Sequence, residues 1–286
     1  MTAVKAFLRL VAIEHSVFAL PFAYLAALTA MRPGVRWGVL VLVTAAMVGG
    51  RTFAMAANRI IDRHVDARNP RTAGRELVTG AVSVRTAWTG AAVSLAVLLG
   101  AAAALNPLCL ALAPLAVAPL VVYPYGKRFT DWPHAILALA QFVAPVGAWL
   151  AVTGTFAGTG PAWVLGAAVG LWIGGFDLIY ACQDAEVDRR IGVRSVPARY
   201  GVPFALRASA AVHVLTFGLF VWFGALAGLG RVWWIGLVLA AGAFVYQHVV
   251  VTPADLSRVN RAFFTANGFV GIALFLCALL DMLIRR

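Results

Sequence analysis

The chain has 286 residues, of which 62% are hydrophobic and only 12% are charged, and its mean hydropathy is +0.89. Soluble domains have roughly 45–50% apolar and about 25% charged residues. The composition therefore excludes a cytosolic enzyme, a DNA-binding factor and a secreted disulfide scaffold. The net charge of +12 does not indicate nucleic-acid binding, because the basic residues interrupt apolar segments and form no separate tail. We predict an all-α integral membrane protein with a single membrane domain over residues 1–286.

About nine apolar segments of membrane-spanning length follow one another along the chain. A helix needs about 20 apolar residues to cross the hydrocarbon core, and charged residues separate windows of this length. The predicted transmembrane helices, in chain order, are 10–30, 37–62, 85–104, 107–124, 132–153, 162–186, 205–228, 231–252 and 262–284.

The connections between these helices alternate between basic loops and short, almost uncharged turns. The N-terminus and the basic loops together carry 17 of the 23 Lys and Arg residues. By the positive-inside rule, they lie in the cytoplasm of a bacterial-type cell, with the protein in its inner membrane and the C-terminus outside. Arg51 lies within a predicted helix. The arginines left on the outer side are Arg32, Arg36, Arg231, Arg285 and Arg286.

Seven of the eleven acidic residues lie in or beside two of the basic loops. Asn58, Asp62 and Asp66 lie at positions i, i+4 and i+8, so a helix places all three on one face, about 6 Å apart per step. A second acidic stripe ends the sixth predicted helix and consists of Asp177, Asp184 and Asp188, with Tyr180 between them. Carboxylate pairs that face each other at this spacing would provide oxygen ligands for a hard cation such as Mg²⁺.

Each acidic stripe runs directly into basic residues. Arg71 and Arg75 follow the first stripe, Arg194 follows the second, and Lys127 and Arg128 lie in the loop between them. Carboxylates that hold Mg²⁺ beside such cations suit a phosphorylated substrate, because metal and cations together neutralise phosphate oxygens. A single Asp or Arg at a helix end is often only interfacial, but the repeated acid-then-base pattern favours a binding site.

The segments around both stripes are similar to the motifs of a known family. The segment NRIIDRHVD (58–66) resembles the NxxxDxxxD motif of the UbiA superfamily of intramembrane aromatic prenyltransferases, and DLIYACQDAEVD (177–188) resembles its second Asp-rich motif. The shorter segments EHSVFALPF (14–22) and YPYGKR (123–128) are also similar. The resemblance extends from Glu14 to about Gly201, and Arg59 stands where many relatives have Asp.

The resemblance implies a helical bundle around a central cavity that opens laterally to lipid, with both motifs on its cytoplasmic side. It implies two Mg²⁺ ions, one bound by Asn58, Asp62 and Asp66 and the other by Asp184 and Asp188. Asp177 would lie nearby and complete the catalytic set with the four motif aspartates. The expected diphosphate contacts are Arg71, Arg75, Lys127, Arg128 and Arg194.

The reaction that the resemblance implies is prenyl transfer in quinone biosynthesis. A polyprenyl diphosphate ionises, and an aromatic acid of the hydroxybenzoate or dihydroxynaphthoate type attacks the allylic cation. The product would lead to ubiquinone or menaquinone. The wording of the first motif looks most like the menaquinone subgroup.

Three further residues are candidates for the substrate cavity. Arg51 precedes Asn58 by seven positions, about 10 Å along the same helix face, and a charged residue inside the membrane normally faces a cavity. We expect Arg51 to pair with Glu14 or with an acceptor carboxylate, unless the helix starts later and Arg51 reaches the interface. Tyr180 is a candidate for cation–π stabilisation of positive charge.

Two alternatives remain open from the sequence. Within the family, the acceptor could be haem, chlorophyllide or a sugar phosphate, although the segment 14–22 favours a quinone precursor. From another class, a secondary transporter also carries intramembrane carboxylates. A transporter would hold them near the membrane midplane, whereas these lie at helix ends.

Overall fold

The computed structural model describes residues 3–11 and 20–285. Within these ranges the chain is helical, with one isolated β-bridge between Thr252 and Asp255 and no strand. The helices are α1 (Ala3–Leu10), α2 (Leu20–Met31), α3 (Trp37–Asp66), α4 (Val84–Leu105), α5 (Pro107–Phe129), α6 (Pro133–Thr153), α7 (Gly160–Ala181), α8 (Ala185–Ile191), α9 (Val196–Tyr200), α10 (Val202–Leu226), α11 (Arg231–Val250), α12 (Val259–Arg261) and α13 (Asn267–Ile284). A 3₁₀ turn (Cys182–Asp184) joins α7 to α8, and a π-helical turn (Ala262–Ala266) joins α12 to α13.

Eight of the predicted transmembrane helices correspond to helical segments of the described chain that are long and apolar enough to cross a membrane. They are α3, α4, α5, α6, α7 with α8, α10, α11, and α12 with α13. The first predicted helix, 10–30, is described from Leu20 onward as α2, because residues 12–19 lie outside the described ranges. The prediction of an all-α membrane protein is confirmed.

Two helices are longer at their charged ends than the sequence predicted. α3 continues to Asp66 and α5 continues to Phe129, beyond the predicted ends at 62 and 124. Pro124 lies inside α5 and does not end it, although an interior proline costs a helix hydrogen bond. The last hydrogen bond of α5 runs from the Thr130 amide to the Gly126 carbonyl. The extra turns fix Asp66 and Lys127 on rigid helix ends.

The α4–α5 connection explains how the short uncharged turns form. Asn106 is extended, and its side-chain oxygen accepts a hydrogen bond of 2.9 Å from the Cys109 amide, while Pro107 takes the first helical position. Asn at the N-cap and Pro at the first turn are both favoured helix starts. The Asn106 amide group also donates to the Leu150 carbonyl at 3.0 Å, which joins this turn to α6.

α7 is the central helix of the bundle. In the most apolar stretch of the segment Gly160–Ile191, 78% of the residues are buried, whereas the corresponding stretches of the other seven membrane-spanning segments of the described chain do not exceed 44%. α7 packs most extensively against α6 and α10. A methyl group on Gly170 would lie 2.4 Å from the Ala138 carbonyl oxygen of α6. Small residues of this kind allow close helix contact in membranes, and the close contact positions the second acidic motif at the end of α7.

We expect Gly170→Ala to destabilise the bundle, because the added Cβ would overlap a backbone atom that cannot rotate away. Overpacking of this kind costs about 1–3 kcal/mol. Thermal unfolding of the purified protein in one detergent measures the effect. Gly218→Ala in α10 is the matched control, because a methyl group there meets no atom within 4 Å. An equal shift of the midpoint in both variants would contradict this account of the α6–α7 contact.

Candidate active site

The first acidic motif lies at the end of α3. Asn58, Asp62 and Asp66 share one face of this helix, as the spacing predicts, and the Asn58 amide donates to Asp62 Oδ2 at 3.2 Å. Asp62 and Asp66 are only 1% and 4% exposed. Carboxylates so deeply buried require charged or hydrogen-bonding partners, and those partners come from other segments of the chain.

The partners of Asp62 come from the last turn of α5. Lys127 Nζ lies 2.6 Å from Asp62 Oδ2, and Arg128 Nη1 lies 3.4 Å from Asp62 Oδ1. Arg128 also donates to the backbone carbonyls of Pro124 and Ile61, each at 2.8 Å. Arg128 thus ties α5 to α3, while Lys127 presents its ammonium group to the motif.

The loop after α3 folds back over the end of the helix. Arg75 Nη1 lies 2.6 Å from Asp66 Oδ1, and the Thr72 hydroxyl donates to the Asp66 carbonyl at 3.0 Å. The side-chain oxygen of Asn69 accepts a hydrogen bond of 2.9 Å from the Arg71 amide. Asn69 and Thr72 are buried, so the loop is packed in place and its arginines have defined positions.

This loop also binds the second motif. Arg71 Nε donates to Asp184 Oδ1 at 2.8 Å and Nη2 pairs with Oδ2, while the Asn69 amide donates to Oδ1 at 2.9 Å. Arg71 also donates to the Tyr180 hydroxyl at 3.0 Å, and its guanidinium lies 5.1 Å from the centre of that ring. Burial is the largest single influence on Arg71 and opposes its charge, but the hydrogen bonds and charge interactions with Asp184 and Tyr180 together outweigh it and raise the pKa of the guanidinium above its ordinary value. One loop therefore bridges both acidic motifs.

The spacing of the second motif suggests one continuous α-helix. The structure instead shows a break in it. The 3₁₀ turn Cys182–Asp184 interrupts it between Asp177 and Asp188, so the three aspartates do not form a regular stripe. A 3₁₀ turn has fewer residues per turn than an α-helix and rotates the following residues. Asp188 accepts a hydrogen bond of 3.1 Å from the Ser195 hydroxyl.

Arg194 lies beside the motifs and does not contact their carboxylates. Its side chain donates to Asp131 Oδ1 at 3.1 Å and to the Phe129 carbonyl at 2.8 Å. Its backbone amide donates to the Lys127 carbonyl at 2.9 Å. Arg194 therefore fixes the backbone that carries Lys127.

Asp177 lies deeper in the bundle and has a partner that sequence analysis missed. Its Oδ2 atom lies 2.7 Å from His134 Nδ1 on α6, and His134 is 4% exposed. In the sequence, His134 has no metal-binding spacing and no local pattern that connects it to Asp177. The two residues are 43 positions apart, and only the α6–α7 contact brings them together. Sequence analysis also missed Asn69, whose partner Asp184 is 115 positions away, and Ser195, which is only seven positions from Asp188 and reaches it through the turn after α8.

Arg51 and Glu14 are the other two residues that the sequence predicts for the substrate cavity. Arg51 is partly buried on α3, two turns before Asn58. Glu14 lies outside the described residues, so the predicted pairing of Glu14 with Arg51 stays a prediction.

The chemistry of the carboxylates fits Mg²⁺, although protein groups hold them in this structure. In the described part of the chain, no three Asp, Glu, His or Cys side chains stand close enough to share a metal ion. The partners of Asp62, Asp66 and Asp184 are Lys127, Arg75 and Arg71, whose side chains are between 25% and 33% exposed. Such long side chains can turn away, which leaves the hard oxygen ligands that Mg²⁺ takes.

Comparisons with known proteins show the family of this chain. The profile of the UbiA prenyltransferase family matches residues 19–269. The chain belongs to this family. It is therefore a prenyltransferase and an integral membrane protein, and the transporter alternative is excluded.

Relatives and solved structures support the assignment to the UbiA family. A 4-hydroxybenzoate solanesyltransferase from Synechocystis sp. is 33% identical over 247 residues, 86% of this chain and 82% of the relative. A 4-hydroxybenzoate octaprenyltransferase from Alkalilimnicola ehrlichii is 34% identical over 85% of this chain and 82% of the relative. The apo structure of a UbiA homologue from Aeropyrum pernix K1 matches with a TM-score of 0.86 at 37% identity, over 94% of this chain and 98% of that one. A UbiA homologue from Archaeoglobus fulgidus bound to GPP and Mg²⁺ has the same fold, with a TM-score of 0.66 at 21% identity over 94% of this chain and 99% of that one.

Proposed function

We propose that this protein transfers a polyprenyl group from its diphosphate to the ring of 4-hydroxybenzoate or a closely similar aromatic acid, in quinone biosynthesis. The observation that carries the proposal is the loop from Asn69 to Arg75, which joins two acidic motifs and places cations between them. The names of the relatives from Synechocystis and Alkalilimnicola support the donor and the acceptor.

The ion pairs at the site are suited to an exchange of partners. Arg75 pairs with Asp66 of the first motif and Arg71 pairs with Asp184 of the second, so a single loop places cations at both motifs. When diphosphate enters with Mg²⁺, we infer that Lys127, Arg71 and Arg75 turn from carboxylates to phosphate oxygens. The carboxylates that they leave would then be able to hold Mg²⁺, which would replace the charge of the departed cations.

The residues that would hold metal form two sets. Asn58, Asp62 and Asp66 would bind one Mg²⁺, and Asp184 and Asp188 would bind the second. Mg²⁺, when bound, supplies Lewis-acid neutralisation of the departing diphosphate. Lys127, Arg71 and Arg75 bind the same group, with Arg128 and Arg194 holding the segments around them. Asp177, paired with His134, and Tyr180 line the approach to the allylic carbon, where the bundle excludes water.

The orientation in the membrane follows from charge. The basic loops lie at the end of the bundle with the acidic motifs, and Arg9 of α1 is there too, 3.9 Å from Glu76. The positive-inside rule then puts this end and the N-terminus in the cytoplasm of a bacterial cell, with the protein in the inner membrane. This orientation is tested by fusing a reporter enzyme that is active on only one side of the membrane to the segment 67–83 and to the α10–α11 turn. We expect one fusion to be active and the other inactive.

We expect Arg51 to recognise the acceptor carboxylate. Arg51→Met should raise the acceptor KM about tenfold to a hundredfold, because a charge-assisted hydrogen bond in a dry cavity is worth about 1.5–3 kcal/mol. The KM of polyprenyl diphosphate should stay nearly unchanged and serves as the internal control. The wild type should also reject 4-hydroxybenzamide, which lacks the carboxylate, and the variant should lose this discrimination. An unchanged acceptor KM in folded protein would make Arg51 a structural residue only.

The function is tested with purified protein, Mg²⁺, radiolabelled polyprenyl diphosphates of several lengths and a panel of acceptors. The panel contains 4-hydroxybenzoate, 1,4-dihydroxy-2-naphthoate, haem, chlorophyllide and a sugar phosphate. We expect a prenylated product from 4-hydroxybenzoate, identified by mass spectrometry, and none when Mg²⁺ is chelated. A product from dihydroxynaphthoate alone would move the protein to menaquinone synthesis, and a product from any other member alone would overturn the proposed acceptor class.

A further inference from the structure

A cavity lies at the end of the bundle opposite the acidic motifs. It has a volume of about 1070 Å³ and lies between α2, the start of α3 and the end of α13. Its walls are apolar and include Leu28, Leu40 and Leu279, and Arg32 and Arg285 lie at its outer rim. Pockets for small ligands have volumes of roughly 300–1,000 Å³, so this cavity has room for more than a simple ion.

Both rim arginines retain hydrogen-bond donors for an anion. Within the described chain, Arg32 Nη1 donates to the Ala227 carbonyl at 3.2 Å, and Arg285 Nη1 donates to the Gly228 carbonyl at 2.6 Å. A guanidinium has five N–H donors, so each side chain has several left. Partial burial lowers the pKa of Arg32 and outweighs the attraction of Asp281, and a smaller repulsion from Arg285 acts in the same direction as burial. An anion held between the two guanidinium groups would relieve that repulsion.

The nearby carboxylate of Asp281 offsets only one of the two positive charges at this rim. Asp281 is 2% exposed, and its two oxygens accept hydrogen bonds from the backbone amides of Gly230, at 2.5 Å, and Val232, at 3.1 Å. Arg285 Nη1 is 4.0 Å from its Oδ2 atom. The Asp281 charge is thus committed to the start of α11, and the two arginines keep a net positive charge.

The depth of the cavity matches one leaflet of a bilayer. Along α13 the lining extends from Arg285 down to Phe275, ten residues or about 15 Å at 1.5 Å per residue. This is half of the roughly 30 Å hydrocarbon core. Trp37, which is 74% exposed, lies at the rim, and tryptophan is typical of the headgroup level. A cationic rim above an apolar cavity of this depth is complementary to one lipid molecule.

We propose that this cavity binds an anionic phospholipid of the leaflet opposite the active site. Its phosphate lies between Arg32 and Arg285, and an acyl chain extends along Leu28, Leu40 and Leu279. The bound lipid bridges α2, α3 and α13 and stabilises their contact. This site explains why arginines gather at an end of the protein where the positive-inside rule makes them scarce.

Lipid-dependent thermal stability of the purified, delipidated protein tests the proposal. The probes are phosphatidylglycerol and phosphatidylcholine with identical acyl chains, at equal mole fraction in the same detergent. We expect phosphatidylglycerol to raise the unfolding midpoint by several degrees more than phosphatidylcholine. The difference should fall by half or more in Arg32→Gln and in Arg285→Gln. It should persist in Arg231→Gln, which removes an exposed arginine at the same end that does not line the cavity.

The comparison between the two lipids is made within each variant, so a change in intrinsic stability cancels. Leu279→Trp, which fills the cavity without altering charge, should also abolish the difference. Equal protection by both lipids, an equal loss in Arg231→Gln, or the same protection by inorganic phosphate alone would overturn the proposal. So would a Leu279→Trp variant that keeps the lipid difference and instead raises the KM of long polyprenyl diphosphates, because the cavity would then hold the prenyl chain.

Discussion

Asp62→Asn and Asp184→Asn should each lower turnover by at least about a hundredfold, or roughly 2.7 kcal/mol of transition-state stabilisation. Each change keeps the side-chain volume and one oxygen but removes a carboxylate charge from a different proposed Mg²⁺ site. The double variant should be little worse than either single variant, because the loss of one metal already prevents departure of the diphosphate. Added Mg²⁺ should restore part of the activity by mass action.

Both variants should remain folded. Asp62 is buried, and its change to Asn leaves Lys127 and Arg128 without their counter-charge. Their side chains are 25% and 39% exposed and can turn to solvent. Asp255→Asn in the exposed α11–α12 loop is the matched control. If either motif variant turned over substrate at the wild-type rate at limiting Mg²⁺, its motif would not be part of the metal site.

Lys127→Met should have two effects of opposite sign. The kcat/KM for polyprenyl diphosphate should fall on the order of a hundredfold, because the ammonium group no longer binds the diphosphate. This is about 2.7 kcal/mol of transition-state stabilisation. The affinity for Mg²⁺ alone should rise several-fold, because Lys127 no longer competes with the metal for Asp62, from which it is 2.6 Å away. Isothermal calorimetry without substrate measures the second effect.

The increase in Mg²⁺ affinity distinguishes partner exchange from simple loss of a contact. Arg190→Met, which removes an exposed cation from α8, is the control and should change neither quantity. If Mg²⁺ bound Lys127→Met no more tightly than the wild type, the ion pairs of the structure would not compete with metal, and the exchange that we propose would be wrong.

The fold could be predicted from the sequence wherever one short segment carries the whole signal. The lengths of the apolar segments and the charged residues between them determine the membrane helices. The i, i+4, i+8 spacing puts Asn58, Asp62 and Asp66 on one face, because helix geometry is local. The same reasoning failed at Asp184. There a 3₁₀ turn changes the register, and the partners that hold Asp184 are Arg71 and Asn69, more than a hundred residues earlier.

By itself, the sequence determined the class of protein, the helices and which residues carry charge at the active-site end. The tertiary structure alone decided which charges meet. Lys127 reaches Asp62 because α5 ends beside α3, His134 reaches Asp177 because small glycines bring α6 against α7, and Arg32 lies near Arg285 because α2 packs against α13. Such pairings depend on how helices approach one another in space. No periodicity within a segment encodes that approach, because it is set by the packing of side chains from distant parts of the chain.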